Sequence, residues 1–155
     1  SYVKASNSDN YLQYDILNKL AYDAYKQNKK PLAVNTLFSG KRSNPNIQGS
    51  ILNITRENFT PGQLALGFIT GICKELYDFM PANTEKKLIV ASGNAVRKIP
   101  VMKQVIEDMF RLPVQISYNK EEASVGAALF SAIAANVVKN INEASAFISY
   151  REDIK

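Results

Sequence analysis

The sequence predicts an α/β fold: a mixed sheet with a parallel βαβα unit in its C-terminal half, flanked by helices. Long segments with apolar residues at steps of three and four alternate with short apolar runs, as helices and buried strands do. In the second half the order is strand, helix, strand, helix, which is the order of a parallel βαβα unit. With 155 residues, 46% of them hydrophobic, the chain has the size and composition of one domain.

Periodicity and end residues predict the elements of the first half. Apolar residues recur at helical spacing over residues 9–27, and two short strands are predicted at residues 32–36 and 47–54. A second helix is predicted from Pro61 to residue 80. Thr60 suits its N-cap, and proline suits the first helical position because the amide there needs no partner in the helix.

The second half is predicted to contain a strand that breaks at a small-residue turn and leads into a helix. Its elements are a strand at residues 88–91, a helix at 101–110, a strand at 112–117 and a helix at 120–139. The small residues on one face of the last helix, including Gly126, are predicted to pack closely on the sheet. Residues 140–155 are mixed in character and are predicted to form a trailing tail that includes some helix.

Composition excludes several kinds of site. The chain has no histidine, which rules out Ser-His-Asp and Cys-His nucleophilic sites and the commonest zinc ligand sets. The single cysteine, Cys73, lies in an apolar helical segment and is predicted to be a core residue. A lone cysteine also fits a reducing compartment, so a cytoplasmic location is expected.

Charge and hydropathy indicate no nucleic-acid or membrane partner. The net charge of +5 is spread over short basic pairs such as Lys41-Arg42, without a basic helix or an arginine-glycine run. Such a distribution is typical of solvated surface charge. No apolar segment approaches the ~20 residues that span a bilayer.

The turn Ser92-Gly93-Asn94-Ala95 is the candidate site. It follows a predicted strand and precedes a helix, the position at which α/β proteins bring backbone amides close to a ligand. It is neither a P-loop nor a G-x-G-x-x-G fingerprint. By itself it is consistent with a structural turn or with part of a nucleotide site.

Four blocks of sequence together resemble the C-terminal region of the FGGY carbohydrate kinases, in the superfamily of sugar kinases and actin. They are LAVNTLFSGKRSNP, IQGSILNITRENFTPGQLALGFITGICKEL, KLIVASGNAVRKIP and, further on, LPVQIS followed by EEASVGAAL. The likeness extends over residues 10–138. Within the family, the chain is most similar to the sedoheptulokinase-like branch. The features shared are the motif Ser-Gly-Asn-Ala-x-Arg-Lys and the asparagines at 53 and 94. Lys41 stands where the family usually has glutamate, and Gln63 where it has histidine.

The resemblance implies a partial actin-like ATPase fold, of the ribonuclease H-like type, that binds ATP or ADP. It assigns the adenosine side of the nucleotide to Ser92, Gly93, Asn94, Ala95 and Arg97. Glycine would let the backbone approach the ribose or adenine, and Asn94 would offer its amide. The catalytic aspartate and the ligands of Mg²⁺ are expected outside this chain, so no catalytic or metal-binding residue is assigned within it.

The resemblance also implies that residues 1–155 are the nucleotide-binding half of a kinase C-terminal domain without its N-terminal phosphate hairpin. The whole enzyme would phosphorylate a sugar, and a sedoheptulose-like ketose is the first candidate. This piece would be inactive alone. A missing N-terminal domain is the expected partner, and a homodimer is an alternative. A non-catalytic actin-like module and a xylulose or glycerol type of kinase also stay open. Residues 39–45 are equally consistent with a connecting loop and with a ligand contact.

Overall fold

The computed structural model describes residues 10–27, 32–81 and 85–151, and its contacts divide the chain into two compact units. The first unit is Ser1–Asn83 with Pro100–Phe110, and the second is Thr84–Ile99 with Arg111–Lys155. Within the described ranges, no helix is both long enough and apolar enough to span a membrane. The elements in chain order are α1 (Asn10–Lys26), β1 (Ala33–Asn35), β2 (Ser50–Leu52), α2 (Pro61–Asp78), β3 (Ile89–Ala91), α3 (Asn94–Lys98), α4 (Pro100–Phe110), β4 (Val114–Ile116), α5 (Glu122–Ala134) and α6 (Ile141–Ser145).

The first unit packs α1, α2 and α4 with the antiparallel pair β1–β2. The strands pair with Ala33 opposite Leu52 and Asn35 opposite Ser50. The helix α2 lies so close to β1 that a Cβ built on Gly71 would be 2.4 Å from the backbone oxygen of Val34. Such an approach is open only to glycine, because any side chain at this position would overlap the strand.

The start of α2 and the environment of Cys73 are as predicted. The Thr60 hydroxyl accepts a hydrogen bond from the backbone amide of Gln63 at 3.3 Å, and Pro61 occupies the first turn. Cys73 is fully buried, and burial raises the pKa of its thiol to about 11. Because the thiolate is the reactive form, this cysteine is an inert core residue.

The second unit contains the parallel pair β3–β4, which confirms the predicted parallel βαβ order. Ile89 is opposite Val114 and Ala91 is opposite Ile116. The tail adds to this sheet: the backbone amide of Arg151 donates to the oxygen of Ile116 at 2.8 Å, and Tyr118 donates to Ser149 at 2.9 Å. In its described part, residues 140–151, the tail is helical at α6 and then runs beside the end of β4.

The predicted helix at 101–110 is preceded by a second, short helix, α3, that was not predicted. Asn94 and Ala95, predicted as turn residues, begin α3. The residue before Pro100, Ile99, has φ −118° and ψ 86°, an extended conformation that ends α3. Steric contact with the proline ring disfavours the helical conformation at that residue, so the chain turns and restarts as α4.

The helix predicted at 120–139 is shorter than predicted, and its packing was predicted wrongly. It ends at Ala134 because Asn136 adopts φ 58°, the left-handed conformation common after helix C-termini. Its residues include none that are buried, and a Cβ on Gly126 would meet nothing within 4 Å. The small-residue face that was expected to pack on the sheet is therefore not buried.

The α/β class is confirmed, with both antiparallel and parallel pairing present. Where the sequence predicted one mixed sheet, the strands in the described residues form two-stranded sheets, the antiparallel pair in the first unit and the parallel pair in the second. Each strand is only three residues long, and two-stranded sheets of this size depend on helices or further strands for stability.

Candidate nucleotide-binding turn

The turn between β3 and α3 is open to solvent and requires glycine at its centre. Gly93 has φ 92° and ψ 170°, in the region that side chains rarely adopt, and a Cβ there would meet nothing within 4 Å. Ser92, Asn94 and Ala95 on either side of it are exposed. A molecule approaching this turn would meet backbone and short polar side chains.

The helix α3 has one buried side chain and is closed at its C-terminus by a backbone hydrogen bond. The side chain of Val96 is buried, and the backbone amide of Ile99 donates to the oxygen of Ala95 at 2.9 Å. The first residues of α3, Asn94 and Ala95, are therefore exposed while Val96 is buried.

Arg97 points into the protein and connects α3 to the segment after β4. Its side chain is only 7% exposed. The guanidinium donates to the backbone oxygen of Ser117 at 2.8 Å, to the backbone oxygen of Asn119, and to the carboxylate of Glu122. A buried arginine needs such partners, because an unpaired charge away from water is strongly unfavourable.

Glu122 links the guanidinium to the turn. Its carboxylate oxygen Oε1 accepts from Arg97 and also lies 3.4 Å from the backbone nitrogen of Gly93. The pKa of the Glu122 carboxyl is lowered from 4.5, first by a hydrogen bond from its own backbone amide and then by Arg97, against a smaller opposing effect of burial. The carboxylate is therefore ionised near neutral pH.

The structure brings all five predicted site residues together around one end of β3. Four are accessible at the turn, whereas Arg97 is directed away from solvent. Sequence reasoning assigned Glu122 no role at this turn. One signal pointed to it: the carboxyl ends of parallel strands meet at one edge of a sheet, so the segment after β4 must lie near the turn after β3.

The loop at residues 39–45, in the first unit, is held as a tight turn by its own backbone. Lys41 and Asn44 exchange two backbone hydrogen bonds at 2.9 and 3.0 Å, and Gly40 has φ 72°. A Cβ on Gly40 would lie 2.5 Å from the oxygen of Pro45, so the glycine is required by the turn itself. These contacts account for the glycine and the asparagine as structural residues.

No cluster of three or more His, Cys, Asp or Glu side chains suited to a metal ion occurs in the ranges that the structure describes. The exposed residues of the turn itself offer a hydroxyl and an amide, and the one carboxylate beside them, that of Glu122, is already paired with Arg97. This set of groups suits the ribose and base of a nucleotide better than the Mg²⁺ that accompanies its phosphates, since Mg²⁺ is held by carboxylates and phosphate oxygens.

Comparison with known proteins shows the family. Residues 3–135 match the C-terminal domain of the FGGY family of carbohydrate kinases, and the chain belongs to that family. The chain is also similar to sedoheptulokinase from Homo sapiens, with 24% identity over 118 residues that make up 74% of this chain and 24% of that protein.

Solved structures share the fold. A ligand-bound xylulose kinase from Lactobacillus acidophilus superposes with a TM-score of 0.73 and 20% identity, over 90% of this chain and 29% of that one. A gluconate kinase from the same organism gives a TM-score of 0.72 and 20% identity, over 90% of this chain and 28% of that one. The partial kinase fold predicted from sequence is thereby confirmed. The chain spans about a quarter of the length of these relatives.

Proposed function

We propose that this chain is the nucleotide-binding C-terminal part of a carbohydrate kinase that transfers the γ-phosphate of ATP to a sugar hydroxyl. The observation that carries the proposal is the solvent-open Gly93 turn at the carboxyl end of a parallel strand, in a chain of the FGGY family. Ligands of open α/β sheets bind outside the carboxyl ends of the strands.

The turn takes the adenosine end of the nucleotide. Gly93 adds no side chain that would obstruct a ligand, and the Ser92 hydroxyl and the Asn94 side-chain amide can hydrogen-bond to ribose or base. The phosphates and Mg²⁺ are held by residues outside this chain, as is the base that accepts the proton of the sugar hydroxyl. Phosphoryl transfer depends on those groups, because it consists mostly of positioning and charge stabilisation.

The first substrate to test is a sedoheptulose-like ketose. The similarity to human sedoheptulokinase and the Ser-Gly-Asn-Ala form of the turn support this choice. Xylulose and gluconate are the alternatives suggested by the names of the structural neighbours. The residues that recognise the sugar are expected outside this chain. An activity assay with a panel of sugars is therefore needed to distinguish these substrates.

The partner of this chain is the remainder of the kinase. Helix α5 has no buried residue although it is strongly apolar, and Phe130 on it is 65% exposed. A parallel strand pair is normally covered on both faces. Because the chain spans about a quarter of its relatives, we assign the missing cover to polypeptide outside it, and we expect the chain alone to be inactive. We also place the whole enzyme in the cytoplasm.

Two measurements test the proposed function. In the first, ¹⁵N-labelled chain is titrated with ADP. The amide resonances of Ser92–Ala95 are expected to shift more than those of the rest of the chain. Unchanged shifts at the turn, at ADP concentrations that saturate the longer kinase, would contradict nucleotide binding there.

In the second, ADP release is measured with a panel of ketoses. The longer polypeptide that contains this chain should phosphorylate one of them, and the 155-residue chain should not. Turnover by the chain alone would overturn the assignment of the catalytic groups to residues outside it. The molecular mass of the chain, measured by sedimentation under the same conditions, distinguishes a homodimer from a monomer.

A further inference from the structure

We infer that Arg97 and Glu122 are positioning residues that hold the Gly93 turn in its nucleotide-binding conformation, with neither contacting the nucleotide itself. The inference rests on the proposed function, because it concerns the same turn. It differs from the expectation drawn from the family resemblance, which placed Arg97 directly against the nucleotide.

Burial gives Arg97 this role. Its side chain is 7% exposed and its guanidinium already has three acceptors, on Ser117, Asn119 and Glu122. To reach a ligand, the side chain would have to give up these partners and leave two backbone oxygens without their donor. The loss of buried hydrogen bonds to a charged group opposes such a movement.

The same contacts join three segments that are distant in sequence. Arg97 is on α3, Ser117 and Asn119 follow β4, and Glu122 begins α5. The guanidinium is planar and its donors have a fixed geometry, so it sets the distances among these segments. Lysine would keep the charge but not this geometry.

Glu122 connects the fixed guanidinium of Arg97 to the Gly93 turn. The oxygen that pairs with Arg97 is the one that faces the Gly93 amide at 3.4 Å. The arginine thus holds the carboxylate, and the carboxylate orients the peptide group between Ser92 and Gly93. A peptide with φ 92° at its glycine has no regular secondary structure to orient it, so this side-chain contact supplies the constraint.

The test uses glutamate variants of the 155-residue chain with a neighbouring control. Glu122→Gln keeps the shape and an acceptor oxygen but removes the charge, and Glu122→Ala removes both. Glu121→Gln removes the adjacent, exposed carboxylate and is the matched control. Dissociation constants for ADP are expected to rise about threefold in Glu122→Gln and about tenfold in Glu122→Ala, and to stay unchanged in the control.

A readout at Gly93 separates positioning from a general loss of stability. In the ligand-free protein, the Gly93 amide should exchange faster with solvent in Glu122→Gln and in Arg97→Lys, while core amides such as that of Val114 keep their exchange rates. If the variants lose stability but the Gly93 amide and the ADP affinity do not change, the residues are merely structural and the inference is wrong. Should Glu122→Ala fail to fold, the glutamine and lysine variants still decide the question.

The outcomes also separate this inference from the proposed function. If the wild-type chain does not bind ADP, the proposed function fails, and the exchange rate of the Gly93 amide alone tests the positioning role. In the longer kinase, KM for ATP should rise about threefold in Glu122→Gln and about tenfold in Glu122→Ala, while KM for the sugar and kcat stay unchanged. An equal change in both KM values would contradict a role confined to the nucleotide turn.

Discussion

Helices α2 and α5 carry similar sequence features but lie in very different surroundings. Both are apolar and contain glycine in their interiors. In α2 seven residues are buried, among them Gly62, Gly67 and Gly71, whereas α5 buries none. Close packing of a glycine-containing helix therefore depends on whether its partner strands are present in the same chain. For α2 such a strand is present as β1, and for α5 we propose that the covering elements belong to the rest of the kinase.

The glycines themselves show the difference most directly. A Cβ on Gly67 would be 2.8 Å from a side-chain carbon of Val34 and 3.0 Å from the backbone oxygen of Leu32, whereas a Cβ on Gly126 would be in open space. Glycine inside a helix costs up to about 1 kcal/mol relative to alanine. In α2 that cost is offset by close packing on β1, and in α5 the described part of the chain offers no such compensation.

The largest expected effect comes from filling the tight contact. Gly71→Ala places a methyl group 2.4 Å from the backbone oxygen of Val34 and 3.0 Å from a methyl of Thr36. The strand cannot yield as a flexible side chain would, so we expect the free energy of unfolding to fall by about 2 kcal/mol. Urea unfolding followed by circular dichroism measures this change in the free energy of unfolding. A stability equal to wild type would mean that α2 does not lie against β1 as described.

The matched substitution in the second unit should raise the free energy of unfolding instead of lowering it. Gly126→Ala adds a methyl group where nothing lies within 4 Å, and we expect it to stabilise the isolated chain by about 0.8 kcal/mol through helix propensity. The same urea experiment measures this gain. In the longer kinase the substitution should instead be destabilising, because this face would be covered there. A gain of equal size in both proteins would argue against α5 as part of the buried interface.

The smallest expected effect is a pH dependence from Glu122. The folded protein lowers the pKa of this carboxyl below 4.5, so the unfolded state binds its proton more readily. The stabilisation is complete above that pH and is lost as the pH falls through the folded value. As the pH falls from 7 to below 4.5, the stability difference between wild type and Glu122→Gln should shrink. A difference that stays constant with pH would show that ionisation of Glu122 does not matter.

The predictions from sequence were most accurate where short-range chemistry decides the structure. Thr60 and Pro61 begin α2 as expected, because a cap and its helix are neighbours in the chain. The predicted helix at 120–139 was too long because Asn136 ends it in a left-handed conformation, which is common for asparagine but not signalled by the apolar pattern. The extra helix α3 was missed because it has five residues, too few for a periodic pattern.

By itself the sequence determined the α/β class, the family and the position of the glycine turn. These depend on local periodicity, on motif order and on the conformational freedom of Gly93, all of which are properties of contiguous residues. Only the tertiary structure decided the role of Arg97, because its partners lie 20 to 25 residues away, where folding of β3 beside β4 brings them together. Only the tertiary structure, too, showed that the described part of the chain buries no residue of α5, since burial depends on which surfaces the rest of the chain supplies.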